Sequence, residues 1–90
     1  MKGIHSIYDN GGETIDRYTV YYGGKGSVRV DSRTGSVLRV CVGMSESPFH
    51  PQGFGQHGEG MPGKHNGKRI SFSDLPNQCQ LLVNGDLAGE

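Results

Sequence analysis

The chain has 90 residues, nine Lys and Arg against nine Asp and Glu, 16 glycines and no tryptophan. That length supports one hydrophobic core, so a single domain over 1–90 is expected. The balanced charge argues against a general nucleic-acid or acidic-membrane binder, which needs a basic excess.

The first part, 3–42, reads as a small antiparallel β-meander. Ile4, Ser6 and Tyr8 alternate with His5 and Ile7 in a short strand that stops at Asp9-Asn10-Gly11-Gly12, where Asn and Gly turn the chain cheaply. Arg17-Tyr18-Thr19-Val20-Tyr21-Tyr22 is dense in β-branched and aromatic residues and gives the clearest strand. Gly23-Gly24-Lys25-Gly26 turns the chain into a third run, Val28 and Val30 alternating with Ser27, Arg29 and Asp31. After a turn at Asp31–Ser36, Val37–Val42 is expected as a more buried strand with Arg39 near an edge or rim.

The composition then changes. Residues 43–68 hold seven glycines, three prolines and three of the four histidines, with almost no apolar periodicity. Met44, Phe49, Phe54 and Met61 argue for an ordered excursion, and a loop of this length is usually functional or disordered. The expectation is a long, ordered, Gly/His-rich functional loop. Residues 69–87 return to regular structure: Arg69–Phe72 reads as a last strand, and Ser73 offers an N-cap with Asp74 in the first turn. Leu75, Cys79, Leu82 and Val83 then form one apolar stripe on a helix closing near Asn84-Gly85. A sheet with one C-terminal amphipathic helix on one face is the α+β solution.

Only 32% of residues are hydrophobic, so something should supplement the core. Self-association is the expected supplement, giving a homo-oligomer. Cys41 and Cys79 lie among apolar neighbours, where free cysteine behaves as a small hydrophobe; pairing between them stays open. No apolar run approaches the ~18 residues of a membrane span, and Met1-Lys2-Gly3 leads into no signal-peptide apolar region, so a cytoplasmic protein is expected.

Chemistry concentrates in Pro48–Gly60. Glycines around Phe54 leave backbone amides open to a ligand, Gln52, Gln56, His50 and His57 offer donors and acceptors, and Phe49 and Phe54 offer flat faces. Lys68 and Arg69 follow and are placed to meet a phosphate or carboxylate. Asp9, Asn10 and Arg17 form a second polar cluster, read either as a site or as a turn with an Arg–Asp brace. The spacings of His50, His57 and His65 match no compact zinc signature, even with Cys41 or Glu59 as a fourth ligand, so no metal and no cofactor is expected. Gly53, Gly55 and Gly58 match a G-x-G-x-x-G pattern without a surrounding βαβ unit, and the P-loop and G-x-S-x-G motifs are missing. Burial raises a thiol pKa, which makes Cys41 a poor nucleophile. No enzyme is demanded.

The combination of Ile7-Tyr8-Asp9-Asn10-Gly11-Gly12, Asp16-Arg17-Tyr18-Thr19-Val20, Met44-Ser45, Pro48–Gln56, Gly67-Lys68-Arg69-Ile70 and Leu75-Pro76 resembles small uncharacterised bacteriophage proteins. The resemblance covers most of the chain and carries no activity residue by residue. It implies a setting, the host cytoplasm, in which small proteins antagonise host defence by binding a protein or sequestering a nucleotide second messenger. With the loop chemistry, the expectation is a non-enzymatic protein holding a phosphate-bearing small ligand of nucleotide type. Its ligand-facing residues are Phe49, His50, Gln52, Phe54, Gln56, His57, Lys68, Arg69, Asp9, Asn10 and Arg17. The alternatives are a protein–protein inhibitor of a host defence protein, anchored by Phe49 and Phe54, and a zinc-stabilised or zinc-dependent protein.

Overall fold

A computed structural model describes residues 3–89. The fold is α+β: six antiparallel strands form one sheet and a single C-terminal helix covers one face. The strands are β1 (Ile4–Asp9), β2 (Tyr18–Tyr22), β3 (Val28–Val30), β4 (Val37–Met44), β5 (Gly55–Gly60) and β6 (Lys68–Ile70); the helix is α1 (Asn77–Ala88).

Strand β4 organises the sheet. One of its edges pairs β5 from Met44↔Gly55 to Arg39↔Gly60. The other pairs β2 (Tyr18↔Met44) and then β3 (Val28↔Arg39), so β2 and β3 lie end to end along that edge. Between them, residues 23–27 bulge out, turned by Gly24 at φ +86° and held by a bond from Ser27 Oγ to the Gly23 carbonyl at 2.7 Å. β1 pairs β2, and β6 pairs β1. Across the sheet the order is therefore β5, β4, β2 with β3 in line, β1, β6. Arg39, expected near an edge, sits on a central strand with a neighbour on each side.

The pleat sorts side chains by alternation. Ile7, Tyr18, Val20, Tyr22, Val42 and Met44 share the face under α1, which contributes Cys79 and Val83 with Leu75 just before it. Val20, Tyr22, Val42, Met44, Cys79 and Val83 are fully buried, and each such aliphatic side chain is worth ~1.5–3 kcal/mol of transfer free energy. Leu82 and Leu87 pack at the margin of the core, and Leu81 is exposed, so the apolar stripe is real and narrow.

Three boundaries differ from the sequence reading. The stretch 43–68 is no single loop: β4 runs on through Met44, β5 occupies Gly55–Gly60, and Lys68 opens β6. The last strand is Lys68–Ile70, and Phe72–Asp74 is a 3-10 turn whose capping box is made by Ser71 with Asp74, so Ser71 takes the role expected of Ser73. The helix continues past Asn84-Gly85 to Ala88, because Asp86 accepts hydrogen bonds from Tyr22 Oη and His57 Nε2 while Leu87 packs on the core.

Candidate functional site

The face away from α1 carries the site. Thr19 and Tyr21 on β2, Cys41 and Gly43 on β4, and Gln56, Gly58 and Gly60 on β5 all turn to it by the same alternation. Residues 61–67 carry the chain from the β5 edge across to β6, and Tyr21 Oη donates to Asn66 Oδ1 at 2.8 Å on the way. That crossing explains why Tyr8 and Tyr21 are buried on a face no helix covers. Their rings meet edge to face, 5.9 Å apart at 81°.

Beside the crossing lies an open cleft of about 280 Å³. Its floor is largely backbone, because Gly43, Gly58 and Gly60 bring no side chains and Cys41 stands among them. At Gly58 a Cβ would meet nothing within 4 Å. Tyr21 and Asn66 wall one end; Phe54, Gln56, Thr19 and Asp16 wall the other. Asn66 is fixed by its amide bonds to the Met61 and Gly63 carbonyls at 3.0 and 3.1 Å. Asp16 takes the Thr14 hydroxyl on Oδ1 and hangs Oδ2 over Gly43. Among the described residues, the Thr19 hydroxyl and the Gln56 amide have no protein partner. A ring on this floor therefore meets a carboxylate, an amide and a hydroxyl available for hydrogen bonds.

Two titratable groups of the cleft, the Cys41 thiol and the Tyr21 phenol, are held neutral. Burial pushes the Cys41 thiol above its ordinary value, helped by the Glu59 and Asp16 carboxylates, so it is no thiolate at neutral pH. Burial likewise raises the Tyr21 phenol. Charge gathers farther along the face. Arg39 lies across from Gly60, and Arg69 on β6 sends Nη2 to the His5 carbonyl at 3.4 Å. Burial first, then both guanidinium groups, lower the His5 imidazole pKa. No carboxylate among the described residues forms an ion pair with Arg39 or Arg69.

The residues singled out from the sequence fall into four places. Phe54 and Gln56 reach the cleft, and His57 contributes backbone to its wall while its ring pairs with Asp86 at 2.8 Å on the helix face. Phe49, His50 and Gln52 belong to the turn before β5; His50 and Gln52 border a shallow depression of about 340 Å³, and Phe49 is exposed with its N–H donating to Gln78 Oε1. Lys68 and Arg69 lie on β6, at the opposite edge of the sheet from β5, with Arg69 alone on the cleft's face. Asp9, Asn10 and Arg17 build the β1–β2 loop: Arg17 bonds both Asp9 oxygens at 2.8 and 3.1 Å and Glu46 at 2.6 Å, and Asn10 Oδ1 accepts from the Gly12 and Glu13 amides. This is the Arg–Asp brace, and it leaves Arg17 no charge to offer a ligand.

Comparison with protein-family models, curated proteins and solved structures finds no match to this chain. The site rests on its own geometry.

Cys41 and Cys79 are both free thiols on opposite faces of the sheet, with Cys79 Sγ donating to the Ser45 carbonyl at 3.1 Å. His50, His57 and His65 sit in a turn, on the helix face and in the crossing segment, and no three His, Cys, Asp or Glu among the described residues gather as a metal site. The sequence reading missed Asp16, Thr19, Tyr21, Gly43, Gly58, Gly60 and Asn66 as cleft residues. A signal for part of this set was present: Gln56, Gly58 and Gly60 alternate with His57 and Glu59 at strand period, one uncharged face against one charged face.

Proposed function

We propose that the protein is a non-enzymatic binding protein whose glycine-floored cleft takes the flat, amino-bearing ring of a small phosphate-bearing ligand of nucleotide type. One observation carries the reading: a backbone floor open to close approach at Gly58, bordered by Asp16, Thr19 and Gln56 with hydrogen-bonding capacity to spare. Asp16 would accept from ring amino groups, Gln56 and Thr19 would read neighbouring edges, and Phe54 would flank the ring. A phosphate would run towards Arg39, Arg69 and His5. Gly43 and Arg39 are four residues apart on β4, ~14 Å at ~3.4 Å per residue, which leaves room on one face for a ring and the charged group beyond it. The cavity, about 280 Å³, sits at the lower end of ordinary ligand sites and favours a mononucleotide-sized occupant. The neutral Cys41 thiol supports sequestration over covalent chemistry at that residue, and in the phage-like setting sequestration would serve host-defence antagonism.

Thermal denaturation with a panel of mononucleotides and cyclic nucleotides at millimolar concentration tests this. A ligand present at 100 times its Kd raises stability by ~2.7 kcal/mol. No shift from any nucleotide would end the proposal.

The exposed Phe49, 60% accessible at the tip of its turn, favours a second reading, inhibition of a partner protein anchored by that ring. Loss of partner binding in Phe49→Ala with nucleotide binding intact would select it.

A further inference from the structure

The outer edge of β5 is a six-residue row with nothing paired to it. Ser45 N–H donates to the Phe54 carbonyl at 2.8 Å, which makes 45/54 a hydrogen-bonded pair; by antiparallel alternation 43/56, 41/58 and 39/60 are hydrogen-bonded too. The N–H and C=O groups of Gly55, His57 and Glu59 consequently point outward, and among the described residues no strand, loop or side chain meets them. Residues 55–59 are exposed throughout. Folded proteins usually blunt such an edge with proline, lysine or a bulge. β5 has none of these: its sequence is Gly-Gln-His-Gly-Glu-Gly.

We infer that β5 pairs antiparallel with β5 of a second copy, about a two-fold axis through Gly58, joining two six-stranded sheets into one. The choice of occupant and register comes from the side chains. His57 and Glu59 are the only base and the only acid on the strand, and both lie on the helix face. A two-fold through Gly58 sets His57 opposite Glu59 of the second copy, and Glu59 opposite its His57. It also matches outward backbone groups to outward backbone groups. A two-fold through Glu59 would set acid on acid, which is destabilising, and one through His57 would set histidine on histidine and Glu59 opposite Gly55, with no acid–base pair formed. At the axis, the two Gly58 residues form a non-hydrogen-bonded pair with Cα atoms ~4.5 Å apart, a spacing that residues with side chains also adopt in such pairs. The existing partners of the pair stay in reach, His57 on Asp86 and Glu59 on Arg29 at 3.2 Å.

Sedimentation velocity over a concentration series of the full chain tests this, with two sets of variants. The wild type is expected to pass from monomer to dimer. His57→Glu sets carboxylate against carboxylate in both cross-strand pairs, Glu59→Lys removes the acceptor facing each His57, and each should weaken dimerisation by ~10-fold or more. Mixed together, the two variants restore both opposite-charge pairs and should form a heterodimer. Separately, Gly58→Cys in a Cys41→Ser background should cross-link between copies under mild oxidation, since the expected Cα separation lies within disulfide range, whereas Gly60→Cys should not. A strictly monomeric protein overturns the inference. So does a dimer that ignores both charge variants, one that fails to cross-link at position 58, or an edge covered instead by a different protein's strand.

Discussion

Substitution of Gly58 by valine separates the cleft's architecture from the fold's needs. Gly58 has no positive φ, and a Cβ built there meets nothing within 4 Å, so the backbone accepts a side chain without strain. Glycine in a strand interior costs ~0.5–1 kcal/mol relative to alanine, and a β-branched residue suits a pleated surface better still. For a domain of this size each kcal/mol moves Tm by ~4–8 °C, so Gly58→Val should melt ~2–8 °C above the wild type. Binding should move the other way. A ring in contact with a peptide floor rides ~3.5–4.0 Å above it, and the valine methyls occupy that layer. Forcing extra carbons into a filled contact costs ~1–3 kcal/mol, equivalent to ~5–150-fold in Kd. Calorimetric titration with the nucleotide that gives the largest thermal shift measures the second quantity, and differential scanning calorimetry the first. A valine variant that is more stable yet binds like the wild type would refute the cleft as the binding site. One that unfolds would refute the claim that Gly58 serves the cleft rather than the strand.

Other substitutions probe the supports around the site. Gly67→Ala should lower Tm by ~10 °C or more, because residue 67 sits at φ +111° and its Cβ would collide with the Asp9 carbonyl oxygen. Asp86→Ala removes the acceptor shared by Tyr22 Oη and His57 Nε2; at ~1–3 kcal/mol it should lower Tm by ~4–24 °C, read by circular dichroism, with Asp86→Asn milder. The Asp9 carboxyl is held below its ordinary range by its hydrogen bond with Arg17. A depressed folded-state pKa gives stability that is present above the unfolded value of ~3.9 and lost as pH falls through the folded one. Melting curves from pH 6 to pH 2 should therefore show a shallower acid decline in Asp9→Asn than in the wild type; parallel curves would contradict the brace. Thiol titration should find Cys79, fully buried and pushed up to about 11, silent until the chain unfolds, while half-buried Cys41 reacts slowly near neutrality, faster as the pH rises, and more slowly still with cleft ligand bound.

How far the sequence could be read depended on whether side chains or pairing made each element. Strands β2 and β4 are dense in β-branched, aromatic and aliphatic residues and were legible as strands, whereas in β1 the register shifts between Ile4 and Ser6, so Ile4 joins Ile7 on the core face and leaves the face of Ser6 and Tyr8 that simple alternation gives it. β5 carries Gly, Gln, His and Glu, none of which favours a strand; it is one because the free edge of β4 offers six residues of ladder, and tertiary pairing overrides propensity. The helix end went the same way. Gly85 reads as a stop, yet the bonds to Asp86 and the packing of Leu87 hold another turn. Of the site, Phe54 and Gln56 were legible as polar-loop chemistry. Thr19, Tyr21 and Cys41 belong to strands read as scaffold, and only the register of β2, β4 and β5 puts them around one cleft.

The 16 glycines look, in composition, like a deficit of core, and the structure divides them by task. At Gly53 a Cβ would collide with the Ser47 carbonyl oxygen, so glycine there lets the turn before β5 fold back on itself. At Gly58 nothing in the fold asks for glycine. A position that tolerates a side chain sterically, lies in a strand that would gain from one, and still has none is a position where emptiness itself has a use. Two surfaces meet at Gly58, the cleft floor on one face and the outer edge of β5 beside it; a ligand on the first would need bare backbone at 58, and a strand on the second would need the outward N–H and C=O groups of its neighbours. The two approaches would be geometrically independent, since a ligand would come down onto the face and a second copy would come in along the sheet plane. A valine at 58 therefore blocks the first while leaving the outward N–H and C=O groups of His57 and Glu59 available to the second.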